Sequence, residues 1–96
     1  MIIYNLVMSK TEVKPITVQV LDLKTSETVS SAVVTHTPPP AGTAVTITPT
    51  VDTPYINMVF GPFAVAGQHF VKVQAVGSAV TPSKPEVLYS IEVKDV

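Results

Sequence analysis

The chain contains no cysteine, no arginine and no tryptophan, and each absence closes a class of function. Without cysteine there is no disulfide framework, no thiolate metal site and no cysteine nucleophile. Arginine is the residue best suited to forking onto phosphates. Its absence, with a formal net charge of -1, makes nucleic acid a poor partner. In the absence of tryptophan, Tyr4, Tyr55 and Tyr89 are left as the side chains that could stack on a sugar with a polar edge, which weakens a carbohydrate-binding reading. No apolar run approaches the roughly 20 residues needed to cross a bilayer, because threonine, proline and charge interrupt every hydrophobic segment, so no membrane insertion is expected. The apolar opening from Met1 to Met8 lacks a basic flank and a small-residue cleavage site and stops at Ser9-Lys10. It is not the pattern of a signal peptide, and no export signal is expected.

What is present points to one β domain. A chain of 96 residues is a single domain by length, expected to span 1–96, and exceeds the roughly 40 residues below which folding needs disulfides or metals. With 46% hydrophobic and 14% charged residues, a proper core must form. Valine and threonine dominate, and β-branched side chains suit a pleated surface. Ile16, Val18 and Val20 alternate with Thr17 and Gln19, a period of two that turns one face inward. The same alternation returns in His69, Val71, Val73 and Ala75, and in Val87, Tyr89, Ile91 and Val93. Weaker patterns predict strands over Ala32–Thr37, Ala44–Thr48, Tyr55–Phe60 and Ile2–Met8. Pro38-Pro39-Pro40, Pro49 to Pro54, Gly61-Pro62 and Pro82 to Pro85 remove backbone donors, so these stretches read as loops or sheet edges and no helix is predicted. About seven strands separated by turns every ten or so residues is the pattern of a sandwich or small barrel, and a sandwich is the architecture expected.

Two stretches carry a resemblance. Val18-Gln19-Val20-Leu21-Asp22-Leu23-Lys24-Thr25-Ser26-Glu27-Thr28-Val29-Ser30-Ser31-Ala32-Val33-Val34 is similar to the strand, turn and strand segment of the bacterial and phage immunoglobulin-like domains. Ser26 and Glu27 stand where that family usually has glycine. Ala66-Gly67-Gln68-His69-Phe70-Val71-Lys72-Val73-Gln74-Ala75 resembles the turn and penultimate strand of the same domains, with His69 where a tyrosine is usual. The resemblance covers about half the chain and implies an immunoglobulin-like antiparallel β-sandwich. Such domains serve as spacers, adhesion modules and virion decorations, so the fold selects no single role.

Residues able to carry chemistry are few. His36 and His69 are the two histidines, and a metal site would need a carboxylate near both. His69 shares the inward row of Val71 and Val73, where its ring can bond a loop carbonyl, and His36, just before the proline run, is expected at the surface. Thr35-His36-Thr37 is the one local arrangement of hydroxyl and imidazole, and nothing around it resembles a nucleophile elbow. Asp22, Asp52, Glu86 and Glu92 read as separate surface charges, and Asp22 with Glu27 falls short of a calcium loop. Pro38-Pro39-Pro40 reads as a rigid connection rather than a polyproline ligand, since no basic residue flanks it. No catalytic residue, metal or cofactor is therefore expected, and the chain is not read as an enzyme.

The N-terminal strand is apolar on both faces and has more surface to hide than an edge strand should expose. Ile2, Ile3, Tyr4, Leu6 and Met8 are the candidate assembly contact. The expected function is a structural or interaction protein, a phage virion accessory subunit such as a capsid decoration protein. Its partners would be capsid or other virion subunits, or further copies of itself, and its location the virion. The alternative is an adhesion or spacer module of a bacterial cell-surface protein, part of a longer extracellular chain.

Overall fold

The computed structural model describes residues 2–20, 23–79 and 84–95, so Asp22 and Pro82 from the reading above lie outside the described residues. Seven strands and no helix make up the described chain: β1 (Ile2–Ser9), β2 (Lys14–Gln19), β3 (Val29–Thr37), β4 (Thr50–Asp52), β5 (Tyr55–Phe60), β6 (Gly67–Gly77) and β7 (Glu86–Lys94). They form a sandwich of two sheets, ordered β1-β7-β6-β3 and β2-β5-β4. Grouping the third, sixth and seventh strands against the second, fifth and fourth is the division of an immunoglobulin-like sandwich. All pairings are antiparallel except one, in which β1 lies parallel to β7 in the register Ile2 to Val87 through Ser9 to Lys94.

The inward rows supply the core. Ile16 and Val18 of β2 and Ile56, Met58 and Phe60 of β5 face Val71, Val73 and Ala75 of β6 and Val87, Tyr89, Ile91 and Val93 of β7. Each of these fully buried aliphatic or aromatic side chains contributes roughly 1.5–3 kcal/mol. Phe60 meets the ring of Tyr89 edge-on at 5.1 Å. Phe63 and Ile47 reach the same core from loops.

The alternating segments form β2, β6 and β7 and the weaker patterns form β1, β3 and β5, β5 with the expected bounds and the others to within a few residues. The strand expected over Ala44–Thr48 is absent, and a short β4 lies instead between Pro49 and Pro54, in the stretch read as a loop. Val45 and Ile47 would share one face of a strand, yet Val45 is exposed and Ile47 buried, so the segment has no consistent face. Three residues flanked by prolines suffice for an edge, since proline is tolerated beside an edge strand.

Ser26 takes the left-handed conformation at φ 65°, in the turn where the resembling domains carry glycine. Glu27 follows it and is buried. Its carboxylate accepts from the Lys24 N–H at 2.9 Å and from the Ala79 N–H at 3.2 Å, tying this turn to the end of β6. Ser78 N–H donates to the Thr28 carbonyl at 2.9 Å alongside. Gly77 leaves room for this, because a Cβ at that position would meet the Glu27 carboxylate and force it to shift.

Gly77→Ala should therefore displace the carboxylate and lower the unfolding free energy by about 2 kcal/mol, the order expected when buried donors lose their acceptor. In a Glu27→Ala background the same change should cost much less. Urea denaturation of the two single variants and the double variant measures that coupling.

Candidate functional site

Two features of this sandwich are candidates for function, the outer edge of β1 and a histidine pair beside a cleft. In a parallel pair, registered residues share a face, so Ile2, Tyr4, Leu6 and Met8 lie on the inner side with Val87, Tyr89, Ile91 and Val93. Ile3, Asn5 and Val7 lie on the outer side with Leu88, Ser90 and Glu92. Met8 is 1% exposed and belongs to the core, and Leu6 packs against it half-buried. Tyr4 stacks on Tyr89 at 5.2 Å but remains 45% exposed, because β1 sits at the margin of the sheet. Burial, and after it the neighbouring Tyr4, raises the Tyr89 phenol above its usual 10.0. Ile3 and Val7 are 57% and 58% exposed, with no side chain over them.

The structure thus divides the five residues of the candidate contact. Ile2, Ile3 and Tyr4 are exposed, Leu6 is half-buried, and Met8 is interior. Val7, absent from that set, is the most exposed of the strand's apolar residues. Its place in the outward row with Ile3 and Asn5 was available from the period of two. β1 bonds β7 on one side and has no strand on the other. The other sheet edges are shortened or interrupted: β4 has three residues, β2 carries Pro15, and β3 has a register shift between Val29 and Ser31. β1 has none of these devices, nor any charge, from Ile2 to Ser9.

The histidine pair is a correction to the surface position expected for His36. Ala32, Val34 and His36 form the inward row of β3, and His36 is 6% exposed opposite Val71. His69, as the alternation implies, is also inward. His36 Nε2 lies 2.8 Å from His69 Nδ1, and His69 Nε2 lies 2.7 Å from the Val65 carbonyl. Val45 N–H donates to His36 Nδ1 at 3.0 Å. That donor fixes the proton positions: His36 Nδ1 accepts, so its Nε2 carries the hydrogen and donates to His69 Nδ1, and His69 Nε2–H donates to Val65. Every ring nitrogen is engaged. The rings are coplanar to within 4°, and Phe63 stacks on both, at 4.8 Å from His36 and 5.0 Å from His69.

A cleft of about 260 Å³ opens beside the pair, lined by the loop from Pro38 to Val45 and by Pro62 to Val65. No acid, lysine or unbonded buried polar side chain lines it among the described residues. Thr35 and Thr37 project from the opposite face of β3 to His36, so the hydroxyl and imidazole of that tripeptide do not meet. The carboxylates are scattered: Asp52 and Glu92 are exposed, while Glu86 pairs with Lys72 at 3.4 Å and accepts from Gln74 at 3.0 Å. Among the described residues no group of three metal-ligating side chains occurs, and no helix is long and apolar enough to cross a membrane.

No family model matches the chain, and no curated protein is similar to it.

Desolvation, and after it the nearby His69, lowers the affinity of His36 for a proton below its usual 6.5. The fold holds the neutral ring, so above pH 6.5 folded and unfolded chains agree and full stability is present. As pH falls through that value the unfolded chain takes up a proton that the folded chain refuses, and stability is lost. The urea midpoint should fall from pH 7.5 to pH 5.5. His36→Ala should lower stability by about 2–4 kcal/mol at neutral pH, since it unpairs the Val45 N–H and His69 Nδ1 and leaves a cavity beside Phe63. Denaturation curves at the two pH values check both outcomes.

Proposed function

We propose that this domain is a non-enzymatic structural protein that joins a larger protein assembly through the open edge of β1. The observation that carries the reading is an eight-residue edge strand with Ile3 and Val7 exposed on its outer row and without proline, glycine or charge. Such an edge presents unpaired backbone donors and acceptors to an incoming strand, and sandwiches that act alone usually blunt it. The histidines support the same reading from the other side, because rings whose nitrogens are all engaged in structure have none left to act on a substrate.

A phage virion is the setting we assign to it, with the chain as a capsid decoration or similar accessory subunit. That role asks for a small rigid body and one adhesive strand, and the resemblance of its turn and strand motifs to phage and bacterial immunoglobulin-like domains supports it. An adhesion or spacer module would instead bind through loops. The cleft beside the histidine pair offers neutral residues and no unbonded buried polar side chain.

A fluorescent peptide with the β1 sequence, carrying a short lysine tail for solubility, tests whether the edge accepts a strand. Its anisotropy should rise on titration with the folded chain, and Ile3→Lys with Val7→Lys should weaken binding at least tenfold while leaving the thermal midpoint nearly unchanged, since both side chains are exposed. Equal binding by the doubly substituted chain, or none by either, would overturn the proposal.

A further inference from the structure

Resting on that reading, we infer that the strand received by β1 is β1 of a second copy, paired antiparallel across a two-fold axis normal to the sheet. Such an axis keeps the inner faces of both copies on one side, so a residue must meet one of the same parity, and the numbers of two opposed residues sum to an even value. A sum of 10 opposes Ile2 to Met8, Ile3 to Val7 and Tyr4 to Leu6, and places Asn5 against itself on the axis. Every apolar side chain then meets an apolar one, and the single amide of the span meets its own equivalent. A sum of 12 opposes Ile3 to Ser9 and Asn5 to Val7, and a sum of 8 opposes Ile3 to Asn5. The sequence of β1 is thus self-complementary in one register.

The surroundings admit that register. The span from Ile2 to Met8 carries no charge to oppose its own image; Glu92 lies beside Val7 but one strand further in, on β7, and Lys10 and Asp95 pair with each other beyond the end of the span. On the outer face Ile3, beside Leu88, and Val7, beside Glu92, gain cover. On the inner side Ile2 and Tyr4 are 39% and 45% exposed, so the margin is open at that end, while Leu6 and Met8 at the other end are already packed against the core. The result is a continuous eight-stranded sheet, β3-β6-β7-β1 followed by its image. A seven-residue strand pair buries less than the roughly 800 Å² per partner of a stable complex, so the dimer dissociates on dilution.

The absence of cysteine makes the test direct, since any covalent dimer of a single-cysteine variant must form through the introduced residue. In Asn5→Cys the two sulfur-bearing residues face each other on the axis with Cα atoms about 4.5–5.5 Å apart, within disulfide range. A pairing shifted by two residues moves them to roughly 8 Å, beyond it. Under mild oxidant Asn5→Cys should form covalent dimer at least tenfold faster than Thr35→Cys, an exposed position on the outer face of the opposite edge strand. Light scattering of the unsubstituted chain should show its mass approaching twice the monomer value as concentration rises. Equal crosslinking rates, or a monomer at every concentration, would overturn the inference. If the labelled β1 peptide still binds such a monomer, the edge remains an assembly site for a different protein; if the peptide fails as well, both readings fall.

Discussion

Backbone N–H and C=O groups must be bonded wherever they are buried, and a strand at a sheet margin meets that demand on one side only. In this domain the margin that matters is β1, whose register with β7 determines much of what surrounds it. That register sends Met8 into the core beside Val93, brings Tyr4 onto Tyr89 and turns Ile3 and Val7 to the outside. A slip of one residue would exchange the two rows and bury Asn5 in place of a leucine or tyrosine. The inner row packs against the domain's own core, and the outer row leaves Ile3 and Val7 exposed around Asn5.

The remaining polar groups of the interior are committed to holding loops. Val45, His36, His69 and Val65 form one chain of hydrogen bonds with a single direction of donation, and Phe63 packs flat against both imidazoles. An added proton has no lone pair to occupy without breaking a link of that chain. Glu27 acts similarly at the far end of β6, where its carboxylate bonds two backbone N–H groups and Gly77 leaves it room. Both arrangements fix loops against the sheets through satisfied buried polar groups.

The sequence pattern made β6 and β7 readable because each has a clean period of two, while the weaker pattern of β5 was bounded by Pro54 and Gly61. Burial of His69 followed from the same row as Val71 and Val73, and the Val65 carbonyl supplies the loop acceptor its ring required. His36 was harder, because the proline run after it suggested an exposed strand end, while the row of Ala32 and Val34 pointed inward. The row prevailed because Val45 reaches back from the loop to bond the ring. Ala44–Thr48 misled for the opposite reason, since alternation existed in composition while Val45 is exposed and Ile47 buried, so the segment keeps no single inward face. The parallel placement of β1 had no local signal. It depends on which edge of a sheet a distant segment reaches, and sequence periodicity says which face is buried but not which neighbour is bonded.

Backbone protection of β1 tests the account most directly, because β7 bonds one edge of the strand and the proposed second copy would bond the other. Amide hydrogen exchange followed residue by residue should show alternating protection along Ile2–Ser9 in dilute solution, from bonds to β7 alone. The intervening amides should gain protection as the protein is concentrated and the second edge becomes occupied. Amides of β1 that exchange at the same rates at every concentration, with or without alternation, would contradict the account.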